Sequence, residues 1–334
     1  MASGNGWAGT DFNGAQHSSP VRSAFDLRPL STGELLDRTF QIYRLRFSLF
    51  AGLAVLPAAV NVVTQSLRLW YDAHQSLHVH QGPDLYRVQM ITGLLALISI
   101  IISLILYGIT QAATTWAVSS VYLGEPASVK AAYAVAGQHW VRYTLIVLRQ
   151  ILTGFWPFFS LLIAGLTTQF VQRRSPSANI IAGALYVSAL LSLAYAAWAY
   201  IRVSLAVPSA VVESLNVRGA IRRSKALLID RKGRVLLLFL FLFALYLVIG
   251  AIQAPLALIA LRSRGAEAFI THAITLAIGF VTGTIVGPIG AIAICLFYVD
   301  ERIRREGFDI EWMMSRLEPA AIPAPRAGEG FSQS

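Results

Sequence analysis

The sequence predicts an all-α integral membrane protein, with six transmembrane helices and three amphipathic helices in the cytoplasmic interface. Three observations predict it. Apolar types make up 56% of the chain and charged types 13%, about half the charged share of an ordinary globular chain. Mean hydropathy is +0.60. Six apolar runs approach or exceed the roughly 20 residues that cross hydrocarbon as a helix.

The runs lie at Phe47–Leu67, Met90–Val121, Tyr143–Val171, Asn179–Val211, Val235–Leu261 and Phe269–Tyr298. Several are longer than one crossing needs, so their surplus turns tilt or project from the bilayer. Lys and Arg number 19 on the side carrying both termini and 6 on the other, with Arg149 and Arg202 inside spans. Basic residues stay cytoplasmic during insertion, which places both termini on the cytoplasmic side. The net charge of +10 follows from the same bias and implies anionic headgroups rather than nucleic acid as its partner. The Gly/Ser-rich segment 1–26 and the Pro/Ala/Gly-rich segment 318–334 read as disordered tails around a membrane domain over 27–317.

A segment of helical periodicity precedes each pair of spans. Leu35, Leu36, Phe40 and Tyr43 form an apolar stripe in the first, where Ser31 and Glu34 have capping-box spacing. Val129, Tyr133, Ala136 and Trp140 share a face in the second, and Val217, Ile221, Ser224 and Leu228 in the third. Apolar stripes flanked by basic residues suit helices lying in the interface. The pattern Glu125-x-x-x-Val129-Lys130 returns as Glu213-x-x-x-Val217-Arg218. Three tandem units follow, over about 31–124, 125–212 and 213–312, each an interfacial helix with a two-span hairpin.

Two terminal motifs stand out: Leu27-Arg28-Pro29-Leu30-Ser31-Thr32-Gly33-Glu34-Leu35-Leu36-Asp37-Arg38 with Tyr43-Arg44, and the run from Phe297 through Asp300-Glu301-Arg302 to Asp309. With the stretch Val207–Arg234, they resemble the bacterial glycerophosphoryl diester phosphodiesterase membrane domain family over roughly residues 27 to 312. In enzymes of that kind such a membrane region is fused to a barrel-shaped catalytic domain, which typically needs about 250 residues. The 334 residues here hold no room for it. The resemblance therefore implies a membrane architecture and not a phosphodiesterase activity.

Candidate chemistry is sparse. No carboxylate falls inside the apolar runs as drawn, which argues against a buried acid–base pair or a proton relay. Arg149 and Arg202 are costly inside spans. Either they snorkel to the nearer interface, or they join Gln150 and Gln111 in a polar cavity that Asn61, Gln65 and Gln253 could extend. Gly279, Gly283, Gly287 and Gly290 share one face of the sixth span and are expected to pack closely against another helix. Arg218, Arg222, Arg223, Lys225, Arg231 and Lys232 are expected to contact headgroups or an acidic membrane-protein partner. His74, His78 and His80 lie in the first outer loop; a solvated loop explains them better than a metal site. No cofactor is implied, and Cys295 reads as a small buried residue.

The function these features imply is a non-enzymatic scaffold or accessory to membrane partners. The alternatives are a small-solute transporter and a membrane-bound lipid-modifying enzyme. Polar residues converging on one cavity would favour transport; a filled apolar core would favour the scaffold. The topology has its own test: cysteines at Gln81 and Ser175 should react with an impermeant thiol reagent added outside cells, and one at Asn216 should not. Labelling of position 216 from outside would invert the assignment.

Overall fold

The computed structural model describes residues 29–76, 83–171, 176–229, 232–262 and 266–307. Among them are ten helices and no strand: α1 Thr32–Leu45, α2 Phe47–Ser76, α3 Pro83–Tyr122, α4 Val129–Gln138, α5 Trp140–Val171, α6 Pro176–Ile201, α7 Ala206–Val212, α8 Val217–Leu227, α9 Lys232–Arg262 and α10 Ala266–Glu306. Six of these reach lengths and apolarities that cross a membrane. Both expected tails, the loop holding His78 and His80, and Arg231 lie outside the described residues, as do the side chains of His74 and Lys232.

A short helix precedes each pair of long ones, as the sequence pattern anticipates. Each short helix starts on a side chain that accepts a hydrogen bond from an unpaired N–H of its first turn. Ser31 and Glu34 cap reciprocally (Ser31 N donating to Glu34 Oε2 at 2.7 Å), Ser128 accepts from Ala131 N at 3.2 Å, and Asn216 accepts from Gly219 N at 2.7 Å. The apolar stripes divide: Phe40 and Trp140 stay exposed, while the rest packs on the protein's own core rather than facing lipid. Leu35, Ile42 and Tyr43 of α1, Ala132 and Ala136 of α4, and Ala220, Ile221 and Leu227 of α8 are buried in the protein's own core.

That core occupies only one end of the bundle, the end where the described chain starts and stops, here called basal. Phe50 and Leu53 of α2, Ala112–Val118 of α3, Ile146 of α5 and Ile292–Tyr298 of α10 meet there. Toward the distal end, large side chains such as Leu97, Ile100, Leu191, Phe243 and Leu247 point outward and exposed. Such an apolar exterior suits hydrocarbon. The long helices follow one another around the bundle: α2 neighbours α3, α3 neighbours α5, α5 neighbours α6, α6 meets α9, and α10 touches both α9 and α2. α5 and α6 approach closely where Gly154 faces the backbone of Ala196 and where Ala182, Ala189 and Ala196 are buried. At 40 and 41 residues, α3 and α10 run about 60 Å, twice a hydrocarbon core of about 30 Å. Their surplus turns build the basal core.

Two backbone features answer to polar side chains. Pro57 interrupts α2 and cannot donate to the carbonyl of Leu53; Tyr133 Oη donates to that oxygen instead, at 2.5 Å. Burial pushes the Tyr133 hydroxyl above its ordinary pKa, so it stays a donor. The expected fourth span, 179–211, is not one helix. It breaks over 202–205 between α6 and α7, where Pro208 cannot donate to the carbonyl of Ser204. Gln150 Nε2 donates to Val203 O at 2.7 Å, while Ser224 Oγ donates to Arg202 O and accepts from Leu205 N, both at 3.1 Å. Side chains of α5 and α8 thus take up the carbonyls of Arg202 and Val203 and the N–H of Leu205.

Ion pairs close the base. Asp300 and Glu301, 1% and 0% exposed, both meet Arg234 Nη1, at 2.9 and 3.1 Å. Leu30 N donates to Asp300 Oδ1 at 2.7 Å and Leu30 O accepts from Arg234 Nη2 at 2.8 Å, so the approach to α1 is tied to α9 and α10. Beside this group, Arg223 bridges Glu213 at 2.8 Å and Glu306 at 2.6 Å. Burial opposes the Arg223 charge, but the bonds from Glu306 and Glu213 outweigh it and hold the guanidinium above its ordinary pKa. Removing one member of a buried pair strands its partner, at a cost of about 3–5 kcal/mol. Asp300→Ala should therefore sharply lower the thermal midpoint in detergent, whereas Lys130→Ala, on the exposed side of α4, should leave it nearly unchanged.

Candidate functional site

Above the basal core the helices part around a cavity of about 660 Å³, within the 300–1,000 Å³ common for small-molecule sites. One stripe of α2 forms a wall, from Ala54 through Asn61 and Gln65 to Arg68 and Leu69. Their spacing is that of a single helix face, and over it the cavity extends about 22 Å. α3 contributes Tyr107, Thr110, Gln111 and Thr114 nearer the base, α10 contributes His272 to Ala291, and α9 contributes Gln253. Gln111 Nε2 donates to Tyr107 Oη at 2.7 Å, and Gln253 Nε2 donates to Thr282 Oγ1 at 3.0 Å. Both amides are thus held by neighbouring side chains.

The glycine face of α10 explains the opening. Close packing was expected at Gly279, Gly283, Gly287 and Gly290, and only Gly290 shows it, against Leu242 and Tyr246 of α9. A Cβ added at Gly279 or Gly287 would meet nothing within 4 Å, and one at Gly283 would meet only Ala58 Cβ at 4.0 Å. These glycines remove side chains from a wall rather than bring a helix close. Backbone contact is found elsewhere: a Cβ at Gly108 of α3 would lie 3.0 Å from Thr144 N of α5.

Of the residues expected to line a cavity, Gln111 does, and so do Asn61, Gln65 and Gln253. Gln150 is instead committed to Val203 O, beside a small pocket between α3, α5 and α7. Arg149 is exposed on α5, and the Arg202 guanidinium lies over the Trp198 ring at 4.6 Å, a cation–π contact. Neither arginine reaches the cavity. The one that does, Arg68, looks like a loop residue when charges alone are counted. Its signal was available as the polar spacing Asn61, Gln65, Arg68, which keeps to one helix face. Arg68 Nε is buried with no hydrogen-bond partner, and no carboxylate lines the cavity among the described residues.

The basic helix α8 divides. Arg218, Arg222 and Lys225 are exposed, while Arg223 is engaged internally by Glu213 and Glu306 rather than offered to a partner. Among the described residues no cluster of three or more His, Cys, Asp or Glu could hold a metal ion.

Comparison with protein-family models, with curated proteins and with solved structures finds no match to this chain. The reading of the site therefore rests on its own geometry.

Because its side chain would enter open space, Gly283→Leu should melt within about 1 kcal/mol of the unmodified protein, helped slightly by helix propensity. Gly108→Leu should cost about 1–3 kcal/mol or more by overpacking. A matched thermal series in detergent separates the two; equal losses would mean that the cavity is closed.

Proposed function

We propose that the chain is a permease of the bacterial inner membrane, with both termini and the ion-paired base in the cytoplasm, which binds a small solute within the bundle. One observation carries the reading: amide, hydroxyl and guanidinium groups from four helices converge on a single cavity at membrane depth. Polar groups inside a membrane are costly and mark solute pathways, and a scaffold would gain nothing by leaving this volume unfilled. The basal core bounds the cavity from below, so in this reading the solute enters from the outer side. In this reading the likeness to the phosphodiesterase membrane domain family is one of architecture. Its three segments, beginning at Leu27, Val207 and Phe297, include the residues of the basal ion cluster, not those of the cavity.

A scaffold remains a second reading, favoured by the exposed row Arg218, Arg222 and Lys225 on α8. Such a row offers anionic headgroups or an acidic partner about 1 kcal/mol per charge near the leaflet.

Water access separates the two. In a Cys295→Ser background, a cysteine at Gly279 or Asn61 should react with an impermeant methanethiosulfonate added from outside, since a permease cavity must be wet. Failure of both positions to react from either side would make the cavity dry and leave the scaffold.

A further inference from the structure

We infer that the ligand of the cavity is a single-chain amphipathic organic anion, its acidic head group paired with Arg68; this rests on the permease reading and names its substrate class. Three observations converge. The first is charge. Arg68 stands at the distal end of the α2 stripe, and no acidic side chain lines the cavity among the described residues to neutralise it. The second is the unmet hydrogen bond. Arg68 Nε is shielded from solvent and has no partner, and a guanidinium N–H in that position favours a carboxylate or phosphate oxygen, which it can grip in a fixed fork geometry. The third is the rest of the wall. Below Arg68 the surface is mostly apolar, with Ala58, Val62, Leu276 and Phe280 and the bare backbone of Gly279 and Gly283. Gln65 and Asn61 follow one and two turns below the guanidinium and can accept or donate along the body of a ligand.

Shape agrees with chemistry. The lined stripe is about 22 Å long, so the space is elongated along the helix axis with its cation at one end. A compact inorganic anion would leave most of the apolar wall unused, and an uncharged chain would leave Arg68 unanswered. A chain with one acidic head answers both. Because the head group lies distally, the anion meets Arg68 first on entry from the side away from the basal core.

The probe is a dansyl-labelled undecanoate, followed by fluorescence on the full chain in phosphatidylcholine nanodiscs, with empty discs subtracted. Saturable binding is expected. The methyl ester of the same probe should bind roughly tenfold more weakly or worse, the range of a lost charge-assisted hydrogen bond. Arg68→Gln should abolish the preference for acid over ester, and Arg68→Lys, which keeps the charge, should retain most of it. Dodecyl phosphate should displace the probe and inorganic phosphate alone should not. Gly283→Phe, which fills the space, should remove binding of acid and ester alike. Equal binding of acid and ester, a preference that survives Arg68→Gln, or displacement by inorganic phosphate would overturn the ligand class. If Gly283→Phe still removes binding in such a case, the cavity and the permease reading stand. Binding that survives Gly283→Phe would sink both.

Discussion

Asp300 and Glu301 lose almost all contact with solvent at the basal end of the bundle, and two carboxylates so placed require a partner. Arg234 supplies it from the first turn of α9, while Leu30 spends both its backbone N–H and its C=O on the same group. A buried ion pair of this kind is weak evidence for net stability and better evidence for specificity, since any other arrangement of the three segments strands a charge. The two ends of the described chain and the start of the fifth long helix are thereby registered against one another. The neighbouring bridge from Arg223 to Glu213 and Glu306 extends the same constraint to α7 and α8.

With the base registered, the rest of the architecture follows from where packing stops. The short helices α1, α4 and α8 turn their apolar faces inward and thicken the basal core, which a set of bare hairpins would lack. Above it the helices are apolar on the outside and, on the inside, small or polar. Hydrocarbon satisfies the outer surface. The inner one is left open, because glycines on α10 withhold side chains where α2 presents Asn61, Gln65 and Arg68. The prolines fit this division. Pro57 and Pro288 both lie on the cavity wall, and the carbonyl that Pro57 leaves unpaired is taken up by Tyr133 from a helix of the basal core. That one bond ties the cavity wall to the basal core.

The sequence alone determined the elements. Hydropathy needs no partner to act, since a run of some twenty apolar residues has no better place than hydrocarbon, and so the six long helices were legible with their approximate ends. Ser31, Ser128 and Asn216 lie before the three short helices because capping is local chemistry over three residues. What the tertiary structure decided is which way each face turns. An apolar stripe on α8 is equally content against lipid or protein, and only the presence of α5, α7 and α10 settles it. A run of glycines allows close approach or leaves a gap, and only the distance to α2 distinguishes these. An arginine pays for its place inside a span through whichever partner it finds: Arg202 finds a tryptophan, Arg234 finds two carboxylates, and Arg68 finds a cavity. The tryptophan is one helical turn away and within reach of periodicity, but the carboxylates of Arg234 and the walls facing Arg68 come from helices distant along the chain, and periodicity cannot see them.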